Sequence, residues 1–596
     1  MIPRADALES LERDNFDLVV VGGGITGAGV ALDAASRGYS VALVEKSDFS
    51  AGTSSRSSKL VHGGLRYLQN FDLGLVREAL LERSLLVKLA PHLVTPLPMI
   101  VPTFEGKRPD RVLGVGLNMY DVMSWRRGRP PQRKLGLRGG VLDENEEWSP
   151  ERHRIVDGPE VAELIPALAG RDPSAGYLFY DCQTDDSRLV LTVLGEAERF
   201  GTVIANRSEV TGLVERGGRA AGVLVRDAAG GGEFELIAAN VVNATGVWAD
   251  RLRPQELYEE EEVPRIRPSR GTHFTLPREL LDVRVGVIVP AGGGRTVFVL
   301  PWLGRTLVGT TDNDYEGSVE HVPPGDEDVA YLLEAVNEFF GTRLGPDDLS
   351  GAYAGVRPLI STGDPKKSVD ISRKAELYET SSGLVTITGG KLTTWRRMAK
   401  LAVDRIVERE GREAPCRTEE IQLGEPVDAG TLPEVAGVDE DSRAHLASRY
   451  GHAAQLVLRL AAADPELARR LSPDLPDIAA EAAFAADHEQ ACTVADVLLR
   501  RTRLGLLDAR RLCVPGSAGV AAVARALAGQ LGWDDARTER EIADWHEVAR
   551  AEGLVPHAAA AVPARGGGDG AAVPDGGAAP PEPSPTAPGA APEEAA

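Results

Sequence analysis

Two hydrophobic patterns divide the chain into two folded regions. Residues 1–410 alternate short β-branched apolar runs with glycine-containing turns, which predicts strands and helices in an α/β fold. Residues 440–552 are rich in Ala, Leu and Arg at helical spacing. The pattern changes near "EGREAPCRTEE", so we expect an α/β region over residues 1–415 and an α-helical C-terminal domain over residues 416–553.

The end of the chain has a third composition. From Pro556 onward it consists mainly of Ala, Pro, Gly and a few polar residues, and it contains no aromatic residue. Such a segment buries too little apolar surface to offset the entropy that is lost on ordering. We therefore predict a disordered tail over residues 554–596.

A glycine fingerprint opens the α/β region. The stretch "FDLVVVGGGITGAGVALDAASRGYSVALVEKSD" contains an apolar strand, the spacing Gly22-x-Gly24-x-x-Gly27, a helix to Arg37 and a second strand that ends at Glu45. This order is typical of a site for the pyrophosphate of a dinucleotide, with the acidic residue on a ribose hydroxyl. The fingerprint alone does not distinguish FAD from NAD.

Each residue of the fingerprint has a physical task. Gly22 permits the tight turn, Gly24 lets the pyrophosphate approach the backbone, and Gly27 permits close packing of the helix on the strand. The helix begins near Ile25 and Thr26, where backbone N–H groups without helical partners attract a phosphate. We therefore predict cofactor contacts at these five positions and at Glu45.

A second loop favours FAD. The stretch "SSRSSKLVHGGLRYL" combines four hydroxyls, three cations, one histidine and a glycine pair. A nicotinamide dinucleotide needs no such loop directly after the acidic residue, whereas a flavin ring deep in the protein needs more donors. The cofactor contacts that we predict here are Thr53, Ser54, Ser57, Ser58, Lys59, Leu60, His62, Gly63 and Gly64.

Length, composition and charge narrow the class of protein. A chain of 596 residues implies two or more domains, and 43% hydrophobic with 26% charged residues is ordinary for a soluble protein. No apolar run reaches the roughly 18 residues of a membrane-spanning helix. The formal charge of −23 argues against general affinity for nucleic acid. The N-terminus lacks the pattern of a secretory signal, so we expect a cytoplasmic protein.

The cysteines give no sign of metal or redox chemistry. Cys182, Cys416, Cys492 and Cys513 lie far apart and form no C-x-x-C motif. A zinc ribbon, an iron–sulfur cluster and a redox dithiol all need closer spacing. We therefore expect no bound metal and interpret the four side chains as buried apolar groups.

Several motifs together resemble one family. "GGGITGAG", "SSKLVHGGLRYL", "NATGVWAD", "GTTD", "GVRPL" and "GGKLTT" occur in order over residues 22–394 and are similar to motifs of the FAD-dependent glycerol-3-phosphate dehydrogenases. "TVADVLLRRTRLGL", residues 493–506, resembles the C-terminal domain of the same family. The first motif is common among flavoproteins, whereas "HGGLRYL" combined with "GGKLTT" is much more specific.

The resemblance implies a fold of the D-amino-acid oxidase or glutathione reductase type. An FAD-binding Rossmann-like domain would be interleaved with an antiparallel-sheet substrate domain and followed by the helical domain. The expected FAD-binding parts are about 14–90, 160–250 and 350–410, and the expected substrate-domain parts are about 91–159 and 251–349.

The resemblance also implies an activity. It is the oxidation of sn-glycerol 3-phosphate to dihydroxyacetone phosphate by hydride transfer to flavin N5, with the electrons passed to membrane quinone. We accordingly expect the cytoplasmic protein to contact the inner face of the cell membrane peripherally. A homodimer is expected, and a nucleic-acid partner is not.

A substrate with a phosphate and a secondary alcohol needs cations for the dianion and a base for the hydroxyl proton. The family motifs place the substrate contacts at Arg66, Tyr67, Arg357, Arg373 and Lys391. Arginine suits this task because its planar guanidinium binds phosphate through two parallel hydrogen bonds. Arg357 is also expected to stabilise the developing alkoxide.

Two histidines are candidates for the base. His62 lies in the flavin loop, and His273 lies in the strand-like segment "SRGTHFTL". A neutral imidazole that titrates near pH 6.5 suits the removal of an alcohol proton. The sequence does not rank the two residues.

Two further turns are expected beside the cofactor. "VVNATGVWAD" has a Thr-Gly turn after a buried strand, which places Thr245 and Gly246 at the dinucleotide. "ITGGKLTTWRRMAK" is interpreted as a loop that enters a helix near Leu392, with Gly390 and Thr393 also in contact with the flavin. The helix N-terminus and the adjacent lysine would stabilise negative charge on the reduced ring.

One basic segment bears on membrane contact. Residues 107–134 interleave apolar side chains, among them Leu117, Met119 and Trp125, with eight Lys and Arg residues in an otherwise acidic chain. This is typical of an amphipathic element at a membrane surface, and also of a core-packed helix with a basic solvated face.

Alternative functions differ in where the electrons go. An oxidase would reduce oxygen, an anaerobic dehydrogenase would need an iron–sulfur partner, and a related FAD-dependent enzyme would oxidise an amine or a hydroxy acid. A non-catalytic flavin-binding module is the remaining alternative. Oxygen consumption and turnover with an artificial acceptor separate these classes.

Overall fold

The computed structural model describes residues 1–64, 73–107, 109–124, 152–252, 265–361 and 375–556. Arg66, Tyr67, Trp125 and Arg373 lie outside these ranges, as do residues 557–596 of the expected tail. The predictions made for them stay predictions.

Eighteen strands are described: β1 Phe16–Val21, β2 Val41–Val44, β3 Leu60–Val61, β4 Thr95–Thr103, β5 Arg154–Asp157, β6 Ala175–Gln183, β7 Val203–Ala205, β8 Ser208–Arg216, β9 Arg219–Asp227, β10 Glu233–Asn243, β11 Arg265–Pro277, β12 Gly286–Ala291, β13 Arg295–Trp302, β14 Arg305–Gly309, β15 Asn313–Asp314, β16 Gly351–Ser361, β17 Ala375–Glu379 and β18 Val385–Gly389. The described α-helices are α1 Arg4–Arg13, α2 Ile25–Ser36, α3 Leu73–Leu89, α4 Arg111–Ser124, α5 Gly158–Leu164, α6 Asp186–Arg199, α7 Asp326–Phe340, α8 Trp395–Glu410, α9 Glu440–Tyr450, α10 Ala454–Ala463, α11 Ala480–Glu489, α12 Val494–Asp496, α13 Leu504–Leu507, α14 Ala509–Leu512, α15 Ala518–Leu531 and α16 Asp535–Ala551.

The first sheet is built around a parallel core. Its strand order is β17-β18-β10-β1-β2-β7, in which β18, β10, β1, β2 and β7 run parallel and β17 is antiparallel. The strands β8 and β9 extend β10 as an antiparallel meander. In an open parallel sheet the carboxyl ends of adjacent strands form the usual place for a nucleotide. The predicted strand, turn and helix of the fingerprint are β1, Gly22–Gly24 and α2.

Helix α2 is buried on nearly all sides. It packs with α6 and α8 in one hydrophobic core with the inner faces of β1 and β2. A Cβ atom on Gly29 would lie 2.6 Å from the Trp395 ring, so a glycine is needed for this close approach of α2 to α8. The tight packing fixes where α2 begins.

The second sheet is mostly antiparallel and has ten strands. It runs β15-β11-β14-β13-β12-β4-β6-β3, with β16 paired to β11 and β5 paired to β6. This is the interleaved substrate-domain sheet that was expected, and the α/β fold with two domains is confirmed. The boundaries differ from the prediction, because β6 and β16 were assigned to FAD-binding parts and both pair within the second sheet.

The helices α9–α16 form the C-terminal domain. Their apolar faces share a core with one face of the second sheet, through residues such as Trp302, Leu307 and Tyr353. A π-helical turn over Val497–Arg501 lies between α12 and α13 and carries a run of arginines. None of the helices in the described part of the chain is long and apolar enough to traverse a bilayer.

Candidate functional site

A cleft of about 460 Å³ lies between the two sheets. Its walls come from the turn after β1, the loop after β2, the ends of β10 and β18, and strands β11 and β16. The predicted residues that line it are Gly22, Gly24, Ile25, Thr26, Glu45, Thr53, Ser54, Ser57, Ser58, Leu60, His62, Thr245, Gly246, His273, Arg357, Gly390, Lys391, Leu392 and Thr393.

The fingerprint turn depends on two glycines for different reasons. Gly22 has φ +114°, and a Cβ atom there would lie 2.7 Å from the carbonyl oxygen of Ala244. A Cβ atom on Gly27 would lie 1.9 Å from the carbonyl oxygen of Gly22, which no rearrangement of a side chain can relieve. Gly27 therefore packs the helix on the strand from outside the cleft. The bare backbone of the turn faces the cleft at Gly22 and Gly24.

Helix α2 begins at Ile25 beside the loop that follows β2. The Ile25 amide donates to Ser54 Oγ over 2.9 Å, and a Cβ atom on Gly24 would lie 3.0 Å from the same oxygen. Ser54 thus joins the loop to the start of the helix. A glycine at this point leaves room between the two segments that a side chain would fill.

Glu45 follows β2 at the rim of the cleft. Its Oε2 accepts from the Gly23 amide over 2.7 Å, and its Oε1 accepts from the Ser47 amide over 2.9 Å. Burial raises the pKa of the Glu45 carboxyl, while the amides of Ser47 and Gly23 oppose that rise. These hydrogen bonds hold the Glu45 side chain in one orientation. Its carboxylate lies where the residue that binds a ribose hydroxyl is expected.

The flavin loop, residues 53–64, is tied to three elements. Thr53 Oγ1 donates to the carbonyl of Val356 on β16 over 2.6 Å. Asp186, at the start of α6, accepts from the Ser57 amide and hydroxyl over 3.0 and 2.7 Å. Ser58 Oγ lies 2.9 Å from His273 Nε2 on β11. The loop is therefore a fixed wall of the cleft.

The structure does not bring Lys59, Gly63 or Gly64 to the cleft. The Lys59 side chain is fully buried, and its Nζ donates to both carboxylate oxygens of Asp186 over 2.9 and 2.7 Å. The Gly63 amide donates to Tyr120 Oη over 2.9 Å, and Gly64 is buried. A cation in a cofactor loop was expected to face the ligand, but a buried carboxylate pairs with it more favourably.

A pair of glycines makes room for two arginines between the sheets. Strands β11 and β16 are antiparallel, with Gly271 opposite Gly355 and His273 opposite Tyr353. A Cβ atom on Gly271 would lie 2.8 Å from Arg357 Nη2, and one on Gly355 would lie 2.6 Å from Arg56 Cβ. The missing side chains leave a depression in which the Arg357 guanidinium lies.

The Arg357 guanidinium is bound by the residues that follow β14. It donates to Asp312 Oδ1 over 3.1 Å, to the Thr311 carbonyl over 3.3 Å and to Thr310 Oγ1 over 3.3 Å. Asp312 Oδ1 also accepts from Ser269 Oγ over 2.5 Å. The side chain of Arg357 is 21% exposed and lines the cleft. It therefore presents an oriented cation to a ligand in the cleft.

His273 lies on the same face of β11 as Gly271. Its ring stacks on Tyr353 with 4.9 Å between the ring centroids and an interplanar angle of 7°. The residue is 2% exposed, and burial lowers its pKa well below the ordinary value, with Lys59 and Arg357 adding to the effect. The imidazole is therefore neutral at physiological pH.

His62 and the loop after β18 form the opposite wall. The His62 amide donates to Thr393 Oγ1 over 3.1 Å, and its ring meets Phe298 edge to face at 6.3 Å. Lys391 precedes a 3-10 turn over Leu392–Thr394, from which α8 begins at Trp395. The predicted loop that enters a helix near residue 392 is found there.

The C-terminal domain reaches the flavin loop at two points. Arg503 donates to the Ser55 carbonyl over 2.6 Å and to Asp186 Oδ1 over 3.0 Å. Glu552 accepts from Arg56 Nη1 over 2.6 Å. The cations lower the pKa of the Glu552 carboxyl to about 2 against the effect of burial. The helical domain is therefore part of the support of the cleft.

Sequence reasoning missed several of these residues. Arg56, Gly271, Gly355 and Asp186 were not candidates. A signal was present for the glycines, since each stands two positions before a predicted functional residue, as Gly-x-His and as Gly-x-Arg. No signal marks Asp186, which lies far from the loop in sequence.

The cleft fits an extended dinucleotide. Bare backbone lies along it at the fingerprint turn, at Gly246 with φ +59° and at Gly390 with φ +70°. No atom lies within 4 Å of where a Cβ on Gly246 would stand, so this turn opens on free space. Carboxylate, hydroxyl and cationic groups are all present in the walls, and ribose, pyrophosphate and flavin need such groups.

Comparison with known proteins agrees with this geometry. Residues 17–405 match the family described as FAD dependent oxidoreductase, and residues 385–538 match the C-terminal domain of alpha-glycerophosphate oxidase. Glycerol-3-phosphate dehydrogenase 2 of Mycobacterium tuberculosis strain H37Rv is 37% identical over 563 residues, which cover 92% of this chain and 91% of that protein. Aerobic glycerol-3-phosphate dehydrogenase of Bacillus subtilis is 35% identical over 521 residues, which cover 84% and 89%.

A solved structure shows the same architecture. The glycerol-3-phosphate dehydrogenase of Bacillus halodurans, complexed with FAD, superposes with a TM-score of 0.69 at 28% identity and covers 92% of this chain and 97% of its own. The expected cofactor is confirmed as FAD. The chain therefore belongs to the FAD-dependent oxidoreductases, and within them to the family of glycerol-3-phosphate dehydrogenases.

Proposed function

We propose that the protein uses FAD to oxidise sn-glycerol 3-phosphate to dihydroxyacetone phosphate. The observation that carries the proposal is the depression at Gly271 and Gly355, where the Arg357 cation and the His273 imidazole share one face of the substrate sheet in the FAD cleft. A phosphate needs the cation, and an alcohol that loses a proton needs the base. The named relatives support the choice of substrate.

Arg357 binds the phosphate dianion in this proposal. Asp312, the Thr310 hydroxyl and the Thr311 carbonyl accept hydrogen bonds from its guanidinium and orient it in the cleft. Arg66, Tyr67 and Arg373 are proposed as further substrate contacts and lie outside the described residues. Lys391 adds positive charge to the wall formed by the loop after β18.

His273 is the base in this proposal. When it is bound, FAD supplies the acceptor for the hydride that leaves the carbinol carbon. His273 takes the hydroxyl proton, and it is neutral beforehand because burial lowers its pKa. A phosphate dianion at Arg357 offsets the positive charge that otherwise opposes protonation of the ring. His62 packs on Phe298 and orders the wall through Thr393.

Anaerobic titration tests the substrate. The purified holoenzyme should lose its absorbance near 450 nm on addition of glycerol 3-phosphate, whereas glycerol at the same concentration should leave it unchanged. Bleaching by both compounds would contradict a role for the phosphate. No bleaching by either, together with no turnover of an artificial acceptor, would favour a non-catalytic flavin-binding module.

We further propose that the electrons pass to membrane quinone through a surface on α4. Val112, Val115, Met119 and Val122 lie on one side of this helix and are 78%, 61%, 38% and 65% exposed. Leu117, which was expected in the same apolar surface, is fully buried on the opposite side. The helix is thus both core-packed and amphipathic, and its exposed apolar side suits a membrane interface.

A pair of variants tests this surface. Val115→Ser combined with Met119→Ser should retain turnover with a soluble dye and lose turnover with a long-chain quinone in vesicles. Leu401→Ser combined with Val514→Ser changes apolar residues of similar exposure, 48% and 51%, elsewhere on the surface and serves as the control. Equal quinone activity of both pairs would place the membrane contact elsewhere. Rapid oxygen consumption by the pure enzyme would favour an oxidase instead.

A further inference from the structure

A serine lies beside the proposed base in the wall of the cleft. Ser58 Oγ lies 2.9 Å from His273 Nε2, and both residues line the cleft. The Ser58 side chain is only half-buried, whereas His273 is almost completely buried. A ligand hydroxyl in the cleft therefore has easier access to Ser58 than to the imidazole.

The imidazole cannot swing into the cleft without displacing its neighbours. It stacks on Tyr353 on one side, and on the other a Cβ atom on Gly309 would lie 2.1 Å from its Cδ2. Nδ1 is buried and has no hydrogen-bond partner among the described residues, and the contact of Nε2 with Ser58 fits either tautomer of the neutral ring. The relay needs the tautomer with its proton on Nδ1, in which Nε2 accepts a hydrogen bond from the Ser58 hydroxyl.

The position of Ser58 is fixed on both sides in sequence. The preceding residue, Ser57, donates its amide and hydroxyl to Asp186, and the following residue, Lys59, donates its ammonium to the same carboxylate. Arg503 completes this buried cluster at 3.0 Å from Asp186. A hydroxyl held this firmly needs little reorganisation to transfer a proton.

We propose that Ser58 is a catalytic residue that relays the proton of the substrate alcohol to His273. The inference rests on the proposed function. The substrate O–H bond breaks as a new Ser58 Oγ–H bond forms, and the original Ser58 O–H bond breaks as His273 Nε2–H forms. Ser58 ends neutral, His273 ends as imidazolium, and the C–H electron pair leaves as hydride to the FAD of the proposed reaction.

The charges around the pair oppose the imidazolium that the relay produces. The cations that face His273 are Lys59 and Arg357, and both disfavour a positive ring. A phosphate dianion at Arg357 offsets this positive charge and lowers the cost of the imidazolium.

Stopped-flow reduction of the holoenzyme tests the relay. Ser58→Ala should slow reduction by glycerol 3-phosphate on the order of 100-fold or more, with FAD content and the dissociation constant of the substrate nearly unchanged. Ser58→Thr keeps the hydroxyl and should remain within about tenfold of wild type. The exposed Ser448→Ala is the matched control and should behave as wild type. Reduction of Ser58→Ala at the wild-type rate would overturn the proposal.

A double-mutant cycle separates a relay from an independent or structural role. If Ser58 and His273 act as a unit, Ser58→Ala combined with His273→Asn should be no slower than the slower single variant. Multiplied losses would overturn the relay. On the wild type, the reduction rate in H₂O/D₂O mixtures should depend on the deuterium fraction with the curvature of two protons in motion, and a linear dependence would refute it.

Histidine-selective ¹⁵N NMR examines the pair without a substrate. The His273 signal is identified by its loss in His273→Asn, and its Nε2 shift should be that of a hydrogen-bonded acceptor and should change in Ser58→Ala. An unchanged shift would overturn the proposal. Because this measurement needs no turnover, it decides the Ser58–His273 contact even if glycerol 3-phosphate fails to reduce the wild type, an outcome that would refute the proposed function separately.

Discussion

Replacement of Gly271 by alanine should displace Arg357 and little else. The new methyl group would lie 2.8 Å from Arg357 Nη2, 3.0 Å from Nη1 and 2.6 Å from Thr310 Oγ1. These atoms are the ends of side chains, so they can move. Gly271 is not among the residues with positive φ, so alanine adds no backbone strain at this position. The perturbation is therefore confined to the proposed phosphate contact.

The expected size follows from the bonds that are lost. Arg357 is held by hydrogen bonds of 3.1 to 3.3 Å, and a shift of the guanidinium by roughly half an ångström or more breaks them or the bonds to a phosphate. Charge-assisted bonds of this kind contribute about 1.5–3 kcal/mol. Since about 1.4 kcal/mol corresponds to tenfold, kcat/KM for glycerol 3-phosphate should fall by about 10-fold to 150-fold.

The assay compares three variants by dye-linked turnover, FAD content and thermal melting. Gly271→Ala should keep its FAD and melt close to wild type while kcat/KM falls. Gly355→Ala should lose FAD as well, because its Cβ atom would lie 2.8 Å from the Arg56 carbonyl, which is backbone of the flavin loop. Gly195→Ala, with no atom within 4 Å, is the control. An unchanged kcat/KM in Gly271→Ala would refute phosphate binding by Arg357.

Two further predictions concern the cofactor and the C-terminal contact. Gly27→Ala should purify without FAD, because its Cβ atom would lie 1.9 Å from the Gly22 carbonyl; full absorbance at 450 nm would contradict the packing argument. Glu552→Gln should lower the free energy of unfolding by about 2–3 kcal/mol at pH 7, because the largely buried Arg56 guanidinium loses its carboxylate partner and keeps the Ala354 carbonyl at 3.3 Å. The Glu552 pKa of about 2 lies below its ordinary value of 4.5, so this contribution is present above pH 4.5 and is lost as the pH falls towards 2. Chemical denaturation at pH 7 and pH 3 should therefore show a smaller difference between wild type and variant at the lower pH, and an equal difference would contradict the ion pair.

Local features of the sequence predicted the turns that line the cleft. Each glycine of the fingerprint answers a constraint within a few residues, such as the left-handed φ of Gly22 or the contact of Gly27 with the same turn. The loop after β18 and the start of α8 were predicted for the same reason. Such features need no knowledge of the tertiary structure.

Features that depend on strand register could not be predicted from the sequence. His273 and Arg357 are close in space because β11 and β16 pair with Gly271 opposite Gly355. The alternation of each strand predicts which residues share its face, but not which residues of a distant strand lie opposite. Assignment of β16 to the FAD-binding part therefore hid the most informative pairing.

The predictions for Lys59 and for the amphipathic helix α4 differ from the structure for different reasons. Lys59 was expected at the cofactor, but Asp186, remote in sequence, pairs with it in the interior. In α4 the helical period does separate Leu117 from Val115 and Met119, so the division into a buried and an exposed side was present in the sequence. The prediction grouped these residues by composition instead of by position.

The contacts of Arg503 and Glu552 bear on the order in which the molecule is made. Ser55, the residue whose carbonyl Arg503 holds, leaves the ribosome 448 residues earlier. The N-terminal part begins to fold during synthesis, but the flavin loop lacks these two supports until nearly all of the described chain has emerged. We therefore expect cofactor loading to be a late event in biogenesis, and chains that terminate before Arg503 should leave the ribosome as colourless protein.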